Sequence, residues 1–300
     1  MNKNENNMKL STTSSALFSA FGYENGIKIA AKVGFDALDL NLTEIIYTDD
    51  FSDSRLEDTC RMLKDTAASA GICFNQAHAP FPCFKFSGRE ADAETYNRKV
   101  THALHSAIKA AGLVGAEAIV IHPIDCTTEP SVNQFEFNLS FYNSLKPFCE
   151  EYGVKAALEN MWGYSAESGR IVKNVCSTAE DLAQYYDALD PKYFTVCLDV
   201  GHSELVGEAA ADAIKILGDR LHALHIHDND RISDLHTIPY QGSLNWDAIC
   251  SALCEIGYSG DFTYEVGGRL LAPYIDKPRL MEKAFALLAE TGKYLIQKCI

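Results

Sequence analysis

The chain reads as an α/β protein, a single (β/α)₈ TIM barrel, on three observations. Eight short apolar runs recur along it, amphipathic helical patterns separate them, and metal-ligand side chains stand where the runs end. The strand candidates lie at 8–12, 35–41, 73–78, 117–122, 154–159, 194–199, 221–227 and 261–265. Between them run GIKIAAKVG, DTCRMLKDTAASAG, KVTHALHSAIKAAGLVG, EDLAQYYDAL, DAICSALCEIG and RLMEKAFALLAETGKYLIQK, whose apolar residues recur at helical spacing. Gly34, Gly71, Gly115, Gly153 and Gly257 each fall between a helical pattern and the next strand, where a left-handed cap is easiest without a side chain. The longest connections after a strand follow Ala79, Pro123, Asn160 and Asp228, on the face where a barrel builds its site.

At 300 residues, 47% hydrophobic and 22% charged, the chain suits one large barrel over 8–300 better than two ordinary domains. The polar, Asn-rich stretch 1–7 reads as a flexible N-terminal extension and not as a targeting peptide. No run approaches the about 18 apolar residues of a membrane span. Ten cysteines without a secretion signal read as reduced thiols, which places the protein in the cytoplasm. A net charge of −15 and no Lys or Arg cluster oppose binding to nucleic acid or an acidic membrane and favour a neutral or weakly charged small substrate.

The runs AIVIHP, KAALEN, TVCLDVGH, LHALHIHDND and TYEVGG bring His122, Glu159, Asp199, His225 and Glu265 to strand ends 26 to 40 residues apart. Side chains alternate along a strand, so Asp199 points with Cys197 and Thr195, Glu159 with Ala157, His225 with Ala223 and Glu265 with Thr263, all inward. Ionised carboxylates collected in a barrel mouth require a cation or hydrogen-bond donors. His202 three residues after Asp199, the Asp234-x-His236 pair after strand seven, and His78 in QAHAP extend the set of ligand types to nine on one face. His222 points away from the lumen; His227 points inward and reads as a support for its neighbours, outside the metal set. Trp162, Tyr164, Phe81, Phe84 and Phe86 follow two of the strand ends and could pack on sugar faces; Lys85, Gly267, Gly268 and Arg269 are candidate anion binders.

These residues resemble the xylose isomerase-like TIM barrel superfamily of sugar isomerases, epimerases and endonuclease IV, most closely where ALHIHDND precedes SDLHTIPYQGSLNWDAI. The resemblance implies one divalent ion (Mn²⁺, Mg²⁺, Co²⁺ or Zn²⁺) held by Glu159, Asp199, His225 and Glu265, the ligand pattern of ketose 3-epimerases. It further implies that Glu159 and Glu265 act as acid and base through an enediolate and that His202 and Arg231 contact substrate oxygens; Trp162 is a further candidate substrate contact, and since dimers or tetramers are common in the resembled family, a homo-oligomer is one expected state. Endonuclease IV places three zinc ions on nine ligands whose types match His78, His122, Glu159, Asp199, His202, His225, Asp234, His236 and Glu265, so further metal ions on His78, His122, His202, Asp234 and His236 stay open. Its G-E-G signature is replaced here by Tyr240, Gln241 and Gly242, a departure that speaks against DNA cleavage. Three readings follow: a metal-dependent sugar isomerase or epimerase with a small carbohydrate substrate, in which lyase or dehydratase chemistry is another outcome; a multinuclear zinc phosphodiesterase; and a non-catalytic sugar-binding barrel.

Overall fold

The computed structural model describes residues 8–86, 90–127, 129, 131–267 and 271–299. The stretch 1–7 and the candidate anion binders Gly268 and Arg269 lie outside the described residues. Ten strands are numbered in chain order: β1 Leu10–Thr13, β2 Ala37–Asn41, β3 Cys73–His78, β4 Ala118–Ile121, β5 Lys155–Glu159, β6 Gly163–Ser165, β7 Arg170–Val172, β8 Phe194–Asp199, β9 Leu221–His225 and β10 Phe262–Tyr264. Eight of them form a parallel sheet in the order β10-β1-β2-β3-β4-β5-β8-β9. The ends of that order meet through a parallel bridge between Ile226 and Tyr264, where Ile226 N–H donates to Thr263 O at 2.9 Å and Glu265 N–H to Ile226 O at 3.1 Å. The barrel is therefore closed, and its seam lies beside His225 and Glu265.

The expected strands all form, with β9 and β10 ending a residue or two early because only one bridge joins them. The five predicted cap glycines all have positive φ, from 65° at Gly257 to 103° at Gly34. Two elements differ from the sequence patterns. The loop after β5 folds into the antiparallel pair β6 and β7, too short to carry a readable alternation. The helix Gln134–Tyr152 is not among the patterns named above and contains Pro147, which blurs a periodicity reading; Asn133 starts it by accepting the N–H groups of Phe135 and Glu136 at 3.1 and 3.2 Å. Among the described residues no helix is long and apolar enough to cross a membrane.

Two apolar regions support the barrel. The larger lies between sheet and helices and takes the outward residues such as Leu38, Leu40, Leu158 and Leu198. The smaller fills the lumen with Ala118, Val120, Ala157, Cys197 and Ala223. Beneath it Ser11 Oγ donates to Asn75 at 2.7 Å and Asn75 Nδ2 to Thr263 Oγ1 at 3.1 Å. The strand residues two places beyond this small-residue layer are the ones that project into the open mouth. Outside the barrel, helices Glu90–Val114 and Gln134–Tyr152 approach so closely at Gly112 that a Cβ there would meet the backbone carbonyl of Tyr152. Gly112→Ala should lower stability by about 1–3 kcal/mol, read as a lower urea midpoint with unchanged slope.

Candidate metal centre and active site

The predicted ligands occupy the ends of successive strands. His78, Glu159, Asp199 and His225 are the last residues of β3, β5, β8 and β9, while His122 and Glu265 stand one residue beyond β4 and β10. Parity sends them inward with Ala157, Cys197 and Ala223 beneath. Glu159, Asp199, His225 and Glu265 each offer an atom to one group whose ligand atoms all lie within 4.8 Å of one another. Glu159 is fully buried: its Oε1 is 2.7 Å from His225 Nδ1, and its Oε2 is 2.9 Å from His122 Nε2 and 3.7 Å from His78 Nε2.

A second group joins the first along the mouth. His202, His227, Asp234 and His236 also bring ligand atoms within 4.8 Å of one another. Asp234 Oδ2 lies 3.1 Å from His236 Nε2 and 3.5 Å from His202 Nε2, and accepts Trp162 Nε1–H at 3.2 Å. The histidines are oriented from behind. His78, His202 and His236 direct Nδ1 at the backbone carbonyls of Ala79, Asn160 and Glu265 at 2.8, 2.9 and 2.7 Å. A carbonyl only accepts, so Nδ1 carries the hydrogen in each and Nε2 faces the pocket, the arrangement found behind imidazole metal ligands.

The electrostatics follow from crowding carboxylates and imidazoles out of water. Burial alone would raise the Glu159 carboxyl, but the His225 and His122 imidazoles outweigh it and hold it well below the usual range. Asp199 is likewise brought to about 2 by His202 and His227 against its burial. Burial would lower His202, yet Asp199 and Asp234 raise it to about 10; His236, half-buried, is lowered by the loss of water but raised by Asp234 and Glu265 to about 9. His122 moves the other way because burial dominates there. His225 Nε2 and Asp234 Oδ1 remain buried without a hydrogen-bond partner. Carboxylate oxygens and imidazole nitrogens gathered within 4.8 Å of one another in each group are a donor set that fits a divalent cation.

A family model described as xylose isomerase-like TIM barrel matches residues 27–291. The chain belongs to this family. An uncharacterised protein of Sinorhizobium fredii is 30% identical over 172 residues, 54% of this chain, and the chain spans about half (51%) of that relative. A D-psicose 3-epimerase of Ruminiclostridium cellulolyticum is 26% identical over 247 residues, covering 81% of this chain and 78% of the relative. Among solved structures, D-psicose 3-epimerase with D-tagatose from Clostridium cellulolyticum H10 superposes with a TM-score of 0.72 over 96% of this chain and 99% of that one, at 19% identity. That likeness carries the barrel architecture.

Within this xylose isomerase-like barrel two groups escaped sequence reasoning and two expected residues are elsewhere. His227, read as a support, directs Nε2 at both Asp199 oxygens (3.0 and 3.1 Å) and stacks on His236 with ring centroids 3.9 Å apart. Its inward parity was readable; its place among the ligand atoms was not. Asp39 of β2 accepts Gln76 Nε2–H at 2.7 Å and lies 3.5 Å from His225 Nε2. The alternation in Ala-Leu-Asp-Leu-Asn was its only signal. Arg231 does not reach the pocket: its Nε is 2.9 Å from Glu204 Oε2, a nearly buried carboxylate that draws the guanidinium away from the mouth. Lys85 lies over the Tyr96 ring, 4.1 Å from its centroid, and lines no part of the pocket.

Asp228 ties down the loop that delivers Asp234 and His236. Its carboxylate accepts the N–H groups of Asn229, Tyr240 and Leu244 and the Trp246 indole N–H, all at 2.9 to 3.1 Å. Gly242 packs against that carboxylate, and Arg231, His236 and Tyr240 take positive φ of 62°, 43° and 73° within the same loop. Backbone strain of this kind persists only where surrounding bonds over-determine it.

A stability profile follows. His202 and His236 have raised values, so their contribution is complete below the free imidazole's about 6.5 and is lost as pH climbs through about 9 and about 10. Asp199 has a depressed value, so its contribution is complete above about 4 and is lost as pH falls to about 2. Chelator-treated protein should therefore melt highest between about pH 4 and 6.5 and lose melting temperature toward pH 9–10. A divalent ion held by these groups would compete with the imidazole protons, so stabilisation by saturating Mn²⁺ or Zn²⁺ should grow over that same rise in pH. Melting curves with and without the ion check both slopes, and a pH-independent increment from the ion would contradict them.

Proposed function

We propose that this chain is a divalent-metal-dependent epimerase or isomerase of a keto sugar or sugar derivative. The observation that carries the reading is the convergence of Glu159, Asp199, His225 and Glu265, of which Glu159 and Glu265 line a pocket of about 450 Å³, in a chain similar to a D-psicose 3-epimerase. Those four residues would hold the ion, which supplies Lewis-acid polarisation of a carbonyl and its neighbouring hydroxyl. Their mixed oxygen and nitrogen donors suit Mn²⁺, Mg²⁺ or Co²⁺, and recruitment of the further histidines suits Zn²⁺.

The chain's own groups move the proton. Glu159, held ionised by its imidazole neighbours, is ready to accept a proton from the carbon beside the carbonyl. Glu265, with 19% of its side chain exposed, lines the same pocket and serves as the partner that returns a proton. Return on the opposite face inverts the centre; return at the adjacent carbon interconverts aldose and ketose. His202, with its Nε2 turned to the pocket, and Trp162 at the rim would position the sugar's hydroxyls and face.

A second reading draws on the separate His202, His227, Asp234 and His236 group and its orphaned Asp234 Oδ1: a multinuclear centre. Phosphodiester hydrolysis is disfavoured, because no Lys or Arg is among the described residues lining the pocket. Incubation of the metal-loaded protein with keto sugars in D₂O tests the proposal directly. Deuterium should enter the substrate, chelation should abolish entry, and Glu159→Gln and Glu265→Gln should each slow it by about 10²- to 10⁴-fold. Exchange that survives chelation, or an unaffected Glu265→Gln rate, would refute the mechanism; no exchange with any sugar would leave a binding barrel. Metal analysis separates one ion per chain from two or three.

A further inference from the structure

The pocket has two chemically different ends. Around the ligand cluster it is bounded by imidazoles and carboxylates, whereas the other end is walled by Phe81, Phe84, Ile124, Met161 and two prolines. Among the described residues lining that end the one carboxylate, Asp125, is already committed, with Oδ1 accepting Thr127 N–H at 2.8 Å and Oδ2 accepting Asn174 Nδ2–H at 2.9 Å. Phe81 is 52% exposed and stands where the two ends meet, its ring 4.9 Å from that of His122 at 28°. A free sugar carries hydroxyls on every side, and those directed at this wall would lose water without gaining side-chain partners. A phosphate fares worse at this wall: no Lys or Arg is among the described residues lining the pocket, the imidazoles stand at the opposite end already paired with Glu159 and Asp234, Arg231 is held by Glu204, and Asp125 would repel it.

We propose that the apolar end is an aglycone subsite, so that the substrate is a non-phosphorylated keto sugar bearing an aryl or branched alkyl substituent, with Phe81 as the main determinant. The proposal rests on the epimerase reading for the reacting end and extends it to the rest of the substrate. A single continuous cavity joins the two ends, so one molecule with a polar head and an apolar tail covers both. Burial of a phenyl group against Phe81 and its neighbours is remote from the chemistry, so its effect falls on KM.

The test uses the metal-loaded full chain with a matched pair, methyl and phenyl 3-keto-β-D-glucoside, and the 6-phosphate of the methyl compound. Deuterium exchange in D₂O gives kcat and KM, and calorimetry gives binding. The phenyl compound should exceed the methyl by about 10- to 100-fold in kcat/KM, mostly through KM, with a more negative heat-capacity change on binding. Phe81→Ala should draw that ratio toward unity, an effect general loss of structure would not produce because both compounds share the reacting end. Equal values for the pair, or preference for the phosphate, overturn the proposal. If no compound exchanges its proton, the epimerase reading fails by itself, and the calorimetric ratio still decides: at least tenfold tighter phenyl binding sustains the subsite and equal binding removes it.

Discussion

The structure turns on the electrostatic cost of gathering Asp39, Glu159, Asp199, Asp234 and Glu265 in one poorly hydrated mouth. Two like charges 4 Å apart repel by about 4 kcal/mol at an effective dielectric of 20, and several such pairs cannot stand without positive charge among them. Imidazoles supply part of it, and the protons they hold are the same protons a cation would displace. The high value of His202 and the low one of Asp199 are therefore one fact seen from both partners. Stability, pH response and affinity for a cation are coupled through it.

The scaffold is arranged to sustain this cost. Parallel strands present their C-terminal ends on one face, and a layer of small lumen residues leaves the next inward position clear to project upward. Backbone carbonyls of Ala79, Asn160 and Glu265 fix the tautomers of three histidines. The Asp228 carboxylate holds the strained loop that delivers Asp234 and His236. The barrel closes at Ile226 and Tyr264, next to two of the four central ligands, so any slip of that seam would move His225 against Glu265.

The extra imidazoles distinguish this pocket from a site with one ion and four ligands. His227 engages both oxygens of Asp199 and packs its ring where Gly201 leaves no room for a Cβ. It thereby restricts how Asp199 is shared between the two ligand groups. The apolar wall beginning at Phe81 then leads away from this polar floor, which gives the pocket its direction.

The sequence by itself determined the eight strands, the cap glycines and the inward direction of Glu159, Asp199, His225 and Glu265, because each rests on backbone periods that act over a few residues. Tertiary structure decided the contacts. Asp39 and His225 are 186 residues apart and meet only because the sheet closes, and Arg231 turned to Glu204 because that carboxylate, nearly buried in its own helix, needed a charge. His227 was visibly inward, yet its choice of Asp199 depended on β8 pairing with β9 and on the room left at Gly201. The β6 and β7 hairpin and the Pro147 helix were equally hidden, since strand pairing across a loop and packing against the barrel outweighed their weak local signals.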